Sequence, residues 1–466
     1  MSDRRFFRIA TTSTRLLIGT VVSVGAVIAV ATAVTIPWPT LTREPVSVAA
    51  IPEPADTILT CDGGIVATGR DLLSPGSLQL AAPQTITAAT APESSAPLQS
   101  VLAAPDLLAE EGPVVVSAPP EAGVRTDVGA AGSVSVASDD LAGFAASACR
   151  PALMESWLMT GSASTGAADL VLVSNPGTVP ATVQLTVYGA AGEEHPPGGT
   201  DLVVAAGTQR IVPLAGLASG EASPVVRVSA SGAPVHASIQ SSLTRVLEPG
   251  GLDQAGAVPA VGEITRIVGV TVPVAVEGTG TVVRLLAPSA DTEATVTVRS
   301  VGGGDVGEPI TVPLLAAVPG QAGISDLAPG QYIVEVTADI PLVAAAWQTT
   351  GFGAGSDFAW HLPAASVPIP TLFAVPDGPP ATLVVNNPST DVASVTITDE
   401  FGGYVGAIDL AAGESASIQV ANDAVYLLDS GGVAVEAAVA LAADGALGAF
   451  TVWSADAAAP PIVVYP

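Results

Sequence analysis

The stretch at residues 170–188, LVLVSNPGTVPATVQLTVY, constrains this chain more than any other because it recurs. It reads as a short apolar strand, an Asn-Pro-Gly turn, and a strand in which Val183, Leu185 and Val187 alternate with Thr182, Gln184 and Thr186. Related stretches stand at 282–298 (VVRLLAPSADTEATVTV) and 383–398 (LVVNNPSTDVASVTIT). With Pro176, Pro288 and Pro388 superposed, the A-[TS]-V that opens the second strand begins at Ala181, Ala294 and Ala393, with one extra turn residue in the middle copy. Period-2 alternation bounded by Pro, Gly and Asn marks half-buried strands joined by a turn. A unit recurring at roughly 100 residues is a domain-sized repeat.

The apolar content fits many thin β layers better than one large core. Hydrophobic residues make up 49% of the 466, mostly Ala and Val, and aromatics only 4%. Small and β-branched side chains suit half-buried pleated surfaces. All 14 basic residues are Arg. Four of them (Arg4, Arg5, Arg8 and Arg15) precede residue 36, so the rest of the chain sets ten arginines against 42 acidic residues. Such a surface repels nucleic acid and anionic lipid heads and stays soluble by self-repulsion.

Residues 16–36, LLIGTVVSVGAVIAVATAVTI, are uncharged and long enough to cross a bilayer as a helix. The arginines before them predict a cytoplasmic N-terminus (1–15) and an exported remainder, with Trp38 at the membrane interface. A cleaved signal peptide ending near Ala31-Thr32-Ala33 is the competing reading. The apolar run exceeds an ordinary signal core, which favours an uncleaved signal-anchor. The lipid bilayer is then the one partner that the sequence implies directly.

Pro37, Pro39, Pro45, Pro52 and Pro54 predict a stalk over 37–54. Residues 55–150 read as a small, loosely patterned β domain, whose Ala/Thr/Ser/Pro segment at 83–105 predicts an exposed loop or disorder. Cys61 and Cys149, the only cysteines, bracket this region. An exclusive pair in an exported chain predicts a disulfide.

From Pro151 the repeats run to the end, at 151–262, 263–367 and 368–466. Each shows about seven short strands spaced by Gly turns and no amphipathic helix. The expected fold is all-β: tandem immunoglobulin-like β-sandwiches after one transmembrane helix, each sandwich with its own core. The final VVYP, which matches VTVP at Val270 and FAVP at Phe373, allows an alternative in which the repeats close a ring as in a β-propeller.

Cys149-Arg150-Pro151, Trp157, Gly161, the LVLVSNPG run and the early TCDGG at Thr60 resemble an actinobacterial family of single-pass, membrane-anchored envelope proteins of unknown function. The resemblance covers most of the chain after the anchor and implies an extracytoplasmic location. It supplies no activity, ligand or catalytic residue. The family pattern has a proline directly after the first cysteine, where this chain has Asp62.

Motifs that resemble catalytic ones lack their partners. Asp429-Ser430-Gly431-Gly432 matches part of a serine-protease nucleophile motif, but none of His195, His236 and His361 stands in a matching context. Glu193-Glu194-His195-Pro196 has no second His at metalloprotease spacing. The Gly-rich run at Gly351 has no following Lys for a phosphate, and Gly302-Gly303-Gly304-Asp305 lacks the repetition of calcium-binding β-helices. Asp399-Glu400 reads as a solvated turn, with a glycosidase pair as the alternative. These features predict no catalytic residue, metal or cofactor.

Trp347, Trp360 and Trp453 read first as core residues and alternatively as an aromatic platform for sugar. The function expected is that of a non-catalytic, membrane-anchored envelope scaffold with an envelope protein or polysaccharide as partner. A glycan-binding module, or a hydrolase with a cleft between repeats, is the alternative.

Overall fold

The computed structural model describes residues 18–32, 48–50, 54–71, 73–92, 94–109, 111–454 and 462–464. They fall into two units. The first, Met1–Pro52 with Pro460–Pro466, holds a helix over 18–32 and an antiparallel pair of Val48–Ala50 with Ile462–Val464. The expected span of 16–36 is described only at 18–32, and no helix among the described residues is long and apolar enough to cross a membrane. The expected cytoplasmic segment lies outside the described residues, as does most of the stalk.

The second unit, Glu53–Ala459, is built almost wholly of strands. The third repeat shows its plan most plainly. Its eight strands are Thr371–Val375, Ala381–Asn386, Ala393–Asp399, Tyr404–Leu410, Ser415–Val420, Ala424–Asp429, Val435–Ala443 and Ala446–Thr451. Strands one, six, three and four form one antiparallel sheet, in that order. Strands five, two, seven and eight form the other.

Alternation drives this pairing. In the third strand Ala393, Val395 and Ile397 are fully buried, and in the second Leu383 and Val385 face them across one core. The first and second repeats pair in the same order, the first with one extra short strand, Gly192–Glu194, on strand three. In the second repeat, strands six and seven are the two halves of one 20-residue strand, Gly330–Thr349.

The turn that makes the repeat visible in sequence has a physical task. Asn387 is fully buried, and its amide nitrogen donates to the carbonyls of Asp391, Leu410 and Ala411 at 2.7–3.1 Å while its oxygen accepts from Ser389 N. One side chain thus ties the turn after strand two to the end of strand four. Asn175 does the same with Val179, Val204 and Gly177. Asn387→Ala leaves these groups without partners inside protein and is expected to cost about 2–4 kcal/mol, read as a lower urea midpoint.

Two expectations need correction. The three repeats follow an eight-strand plan, not a seven-strand one. The order also departs from the immunoglobulin one, in which the first strand lies beside the second and the seventh beside the sixth. Here the first pairs with the sixth and the seventh with the second.

A further correction concerns residues 55–150, which form a fourth copy of the plan. Thr57–Thr60, Thr85–Thr90, Leu98–Ala103, Glu111–Ala118, Val128–Ala137 and Ala142–Ala148 pair as strands one, two, three, six, seven and eight. Among the described residues strands four and five have no counterpart, and a small hairpin (Ile65–Ala67 with Gln79–Ala82) is inserted after strand one. The segment at 83–105 is therefore ordered into two strands. Its Thr87, Ala88 and Ala89 lie in register opposite the equally small Ala131, Ala130 and Gly129. Cys61 and Cys149 are bonded, joining the ends of strands one and eight over a small core of Leu59, Val116 and Val128. Closing an 88-residue separation contributes about 4–5 kcal/mol on the chain-entropy argument.

The four repeats close on themselves. The eighth strand of each packs on that of the next, and the third repeat's eighth strand packs on the N-terminal repeat's. First strands reach across the same joints. Gly269 of the second repeat lies against Val384 and Ala438 of the third. Phe373 of the third shares a core with Ala131, Phe144 and Ala146 of the N-terminal repeat. Trp157 and Met159 of the first pack on Leu286, Val343 and Ala345 of the second. The units are two-sheet sandwiches, unlike the single-sheet blades of a propeller.

Candidate functional site

The four repeats meet through their eighth strands. Asp357, just before the strand Phe358–His361, is fully buried. Its Oδ1 accepts from Leu252 N at 3.1 Å, and its Oδ2 accepts from Phe144 N at 2.9 Å and Leu447 N at 3.2 Å. One carboxyl group therefore collects a main-chain N–H from each of the other three repeats. Burial pushes it up to about 7 against the pull of these N–H groups. The neighbours must leave room. A Cβ at Gly143 (φ +147°) or Gly251 (φ +108°) would meet Asp357 Oδ1 at 2.7 Å. Beside this hub a cavity of about 790 Å³ opens, lined by all four repeats through residues such as Ser135, Phe144, Glu248, Ser356 and Gly445.

Other buried ionisable groups hold the joints. Asp62 and His236 pair at 2.7 Å between the N-terminal and first repeats, both almost fully buried. Burial alone would raise Asp62, but the hydrogen bond and charge of His236 outweigh it and hold the carboxyl below its ordinary value. Asp62, directly after Cys61, is therefore a joint residue. Arg150 donates to Ala257 O and to Thr451 Oγ1, linking three repeats, and burial lowers it to about 10. Arg266 pairs with Glu335 of its own repeat and Glu436 of the third.

A cleft of about 200 Å³ between the first and second repeats has a different character. Trp347 and Trp360 face each other across the seventh and eighth strands of the second repeat, and both line it with Phe358. Trp347 is half-buried, its ring centroid 6.0 Å from that of Phe358. Trp360 is only 6% exposed, and the Arg284 guanidinium lies 4.7 Å from its ring centroid. Arg284 is itself buried, donating from Nη1 to the carbonyls of Met159, Gly161 and Pro224, while its Nε has no partner. Burial lowers it to about 9, so it stays charged at neutral pH. Asp169 lines the same end; its oxygens accept from Ser162 N and Ser242 N, and burial raises it to about 6.

The sequence-derived candidates thus separate. Trp347 and Trp360 share the cleft, with Trp360 as its floor. Trp453 stands elsewhere, beneath Arg150 at 4.9 Å. Cys61 and Cys149 are bonded. Asp429-Ser430-Gly431 is a turn in which Asp429 Oδ1 accepts from Gly431 N. His361 is buried, and desolvation lowers it to about 3. Among the described residues no group of His, Cys, Asp and Glu is placed to hold a metal. Sequence reading missed Asp357, Asp62, Asp169 and Arg284. The one available signal was Asp357 itself, which falls where the other repeats carry Gly143, Gly251 and Ala446.

Residues 105–421 match a family described as "Family of unknown function (DUF5719)". The match begins within the N-terminal repeat, spans the first two full repeats and ends within the third. No curated protein matches the chain. A solved structure titled "Biofilm associated protein - BSP domain" is similar at 11% identity over 90% of this chain and 99% of that one, with a TM-score of 0.13. A likeness at that level carries no argument about fold or role.

Proposed function

We propose, for a chain that belongs to the DUF5719 family of unknown function, the role of a non-catalytic, membrane-anchored binding scaffold on the outer side of the cell membrane. We read each repeat as an immunoglobulin-like sandwich whose first and seventh strands have exchanged places, four of them closing one rigid body. The observation that carries this reading is the use made of buried charge. Asp357, the Asp62–His236 pair and Arg150, all buried, and the partly buried Arg266 bind groups of neighbouring repeats and so hold surfaces in fixed relation. The anchor reading is supported by the uncharged run at 16–36 behind four arginines.

The test is fractionation of cells expressing the full chain, followed by protease treatment of intact cells. The reading expects the chain in carbonate-washed membranes, and a large protease-resistant fragment released when the proline-rich segment is cut from outside. A chain found in the soluble fraction, or one protected until cells are broken, would contradict it.

A further inference from the structure

The cleft between the first and second repeats has an apolar wall and a polar end of opposite charges. The wall is Trp347 and Phe358, with Trp360 as floor. The polar end is Asp169 and Arg284, both at least nine-tenths buried and not paired with each other within salt-bridge distance. One polar atom of the lining has no partner, Arg284 Nε, on a side chain 3% exposed, while the Ser241 hydroxyl stands beside Asp169 and draws its carboxyl down. Orphaned buried donors of this kind are costly unless something satisfies them. Gln321 stands exposed at the rim, its amide donating to Ser223 Oγ across the two repeats.

We infer that this cleft binds one ring of a neutral sugar. The inference deepens the non-catalytic binding reading above and rests on it. Three properties select the ligand. The volume, below the roughly 300–1,000 Å³ of ordinary ligand pockets, admits a single ring and not a chain of them. The indole of Trp347, partly buried and the less covered of the two, gives the apolar face of a pyranose a flat surface to lie on, as one face of Trp360 is already covered by Arg284.

The third property is charge. A carboxylate ligand would meet Asp169, and an ammonium ligand would meet Arg284. A hydroxyl both donates and accepts, so it can serve each of them in turn. The strongly acidic chain around the cleft disfavours anionic sugars further. Among the residues lining the cleft, Asp169 is the one carboxylate, whereas glycoside hydrolysis ordinarily takes a pair. The cleft is built to hold a sugar and leave it whole.

The experiment uses the full chain in a sugar-free detergent. Maltotriose, cellotriose and mannotriose are the neutral probes, with trigalacturonate and the chitosan trisaccharide as charged comparators. Binding is followed by calorimetry and tryptophan fluorescence, and the saccharide is recovered and sized. The expected result is saturable binding of at least one neutral trisaccharide, weaker by tenfold or more in Trp347→Ala, partly restored in Trp347→Phe and unchanged in Trp453→Phe. Gln321→Ala, a change at an exposed side chain, should weaken binding severalfold and serves if Trp347→Ala does not fold. No binding of any neutral probe, tighter binding of a charged one, or binding indifferent to Trp347 and Gln321 overturns the inference. Cleavage of a probe that depends on Trp347 would keep the site and overturn the non-catalytic reading instead.

Discussion

Asp357→Ala is expected to destabilise the ring by about 3–9 kcal/mol at pH 5 and by about 3 kcal/mol less at pH 8. The first figure follows from three buried N–H groups losing their acceptor, at roughly 1–3 kcal/mol each. The difference follows from linkage. Burial raises the carboxyl from 3.8 to about 7 in the folded chain. Between those values the folded state keeps a proton that the unfolded state has lost, so this group's contribution to stability falls as pH rises. The penalty is absent below about pH 3.8, grows to about pH 7 and stays constant above it. Alanine removes it, so wild type and variant lie closer together at pH 8. From pH 5 to 7 the change is two units at roughly 1.4 kcal/mol each. Urea melts of both proteins at the two pH values read it directly. An equal loss at both would mean that Asp357 does not titrate as its burial requires.

A second large effect is expected on cutting the ring. A fragment of residues 368–459 contains every strand of the third repeat and would fold alone if its core were its own. That core instead includes Ala131, Phe144 and Ala146 from the N-terminal repeat, and Val384 and Ala438 rest on Val268 of the second. Removing these neighbours bares one face of the first strand and the flanks of the eighth. Uncovering even a few such side chains at about 25 cal/mol per Å² takes away a large part of a stability that totals only about 5–15 kcal/mol. The fragment is expected to be soluble only in part and to melt without cooperativity, while residues 53–459 melt as one unit. A cooperative melt of the fragment at the temperature of the longer protein would show that the joints contribute little.

What could be read in the sequence was whatever repeats locally. The alternation around Val183, Val296 and Val395, the Asn-Pro-Gly turn and the paired cysteines each express a constraint within one repeat. Asn175 and Asn387 are legible because a turn needs a side chain that can both donate and accept. The joints are not legible in that way. They are made by Ala, Gly and Val packing across repeats, residues that occur everywhere in this composition, and by pairs such as Asp62 with His236, 174 positions apart. The N-terminal copy was hidden because two strands have no counterpart among its described residues and it carries an inserted hairpin. The covering of one face of Trp360 is hidden from the sequence for a related reason. Nothing near it in sequence announces that Arg284 lies over its ring.

Ring closure is the claim on which the rest depends, and the joint between the third and N-terminal repeats tests it most directly. There Thr87 Oγ1 donates to Asp423 Oδ1 at 2.8 Å across 336 positions of chain. The protein contains no lysine, so Thr87→Lys adds a single amine besides the N-terminus. Treating the variant with a zero-length carbodiimide at low protein concentration, followed by peptide mass spectrometry, is expected to give an intramolecular amide between Lys at 87 and Asp423. Amides from that lysine only to acidic residues of 55–150, with none to the third repeat, would mean that the ring is open.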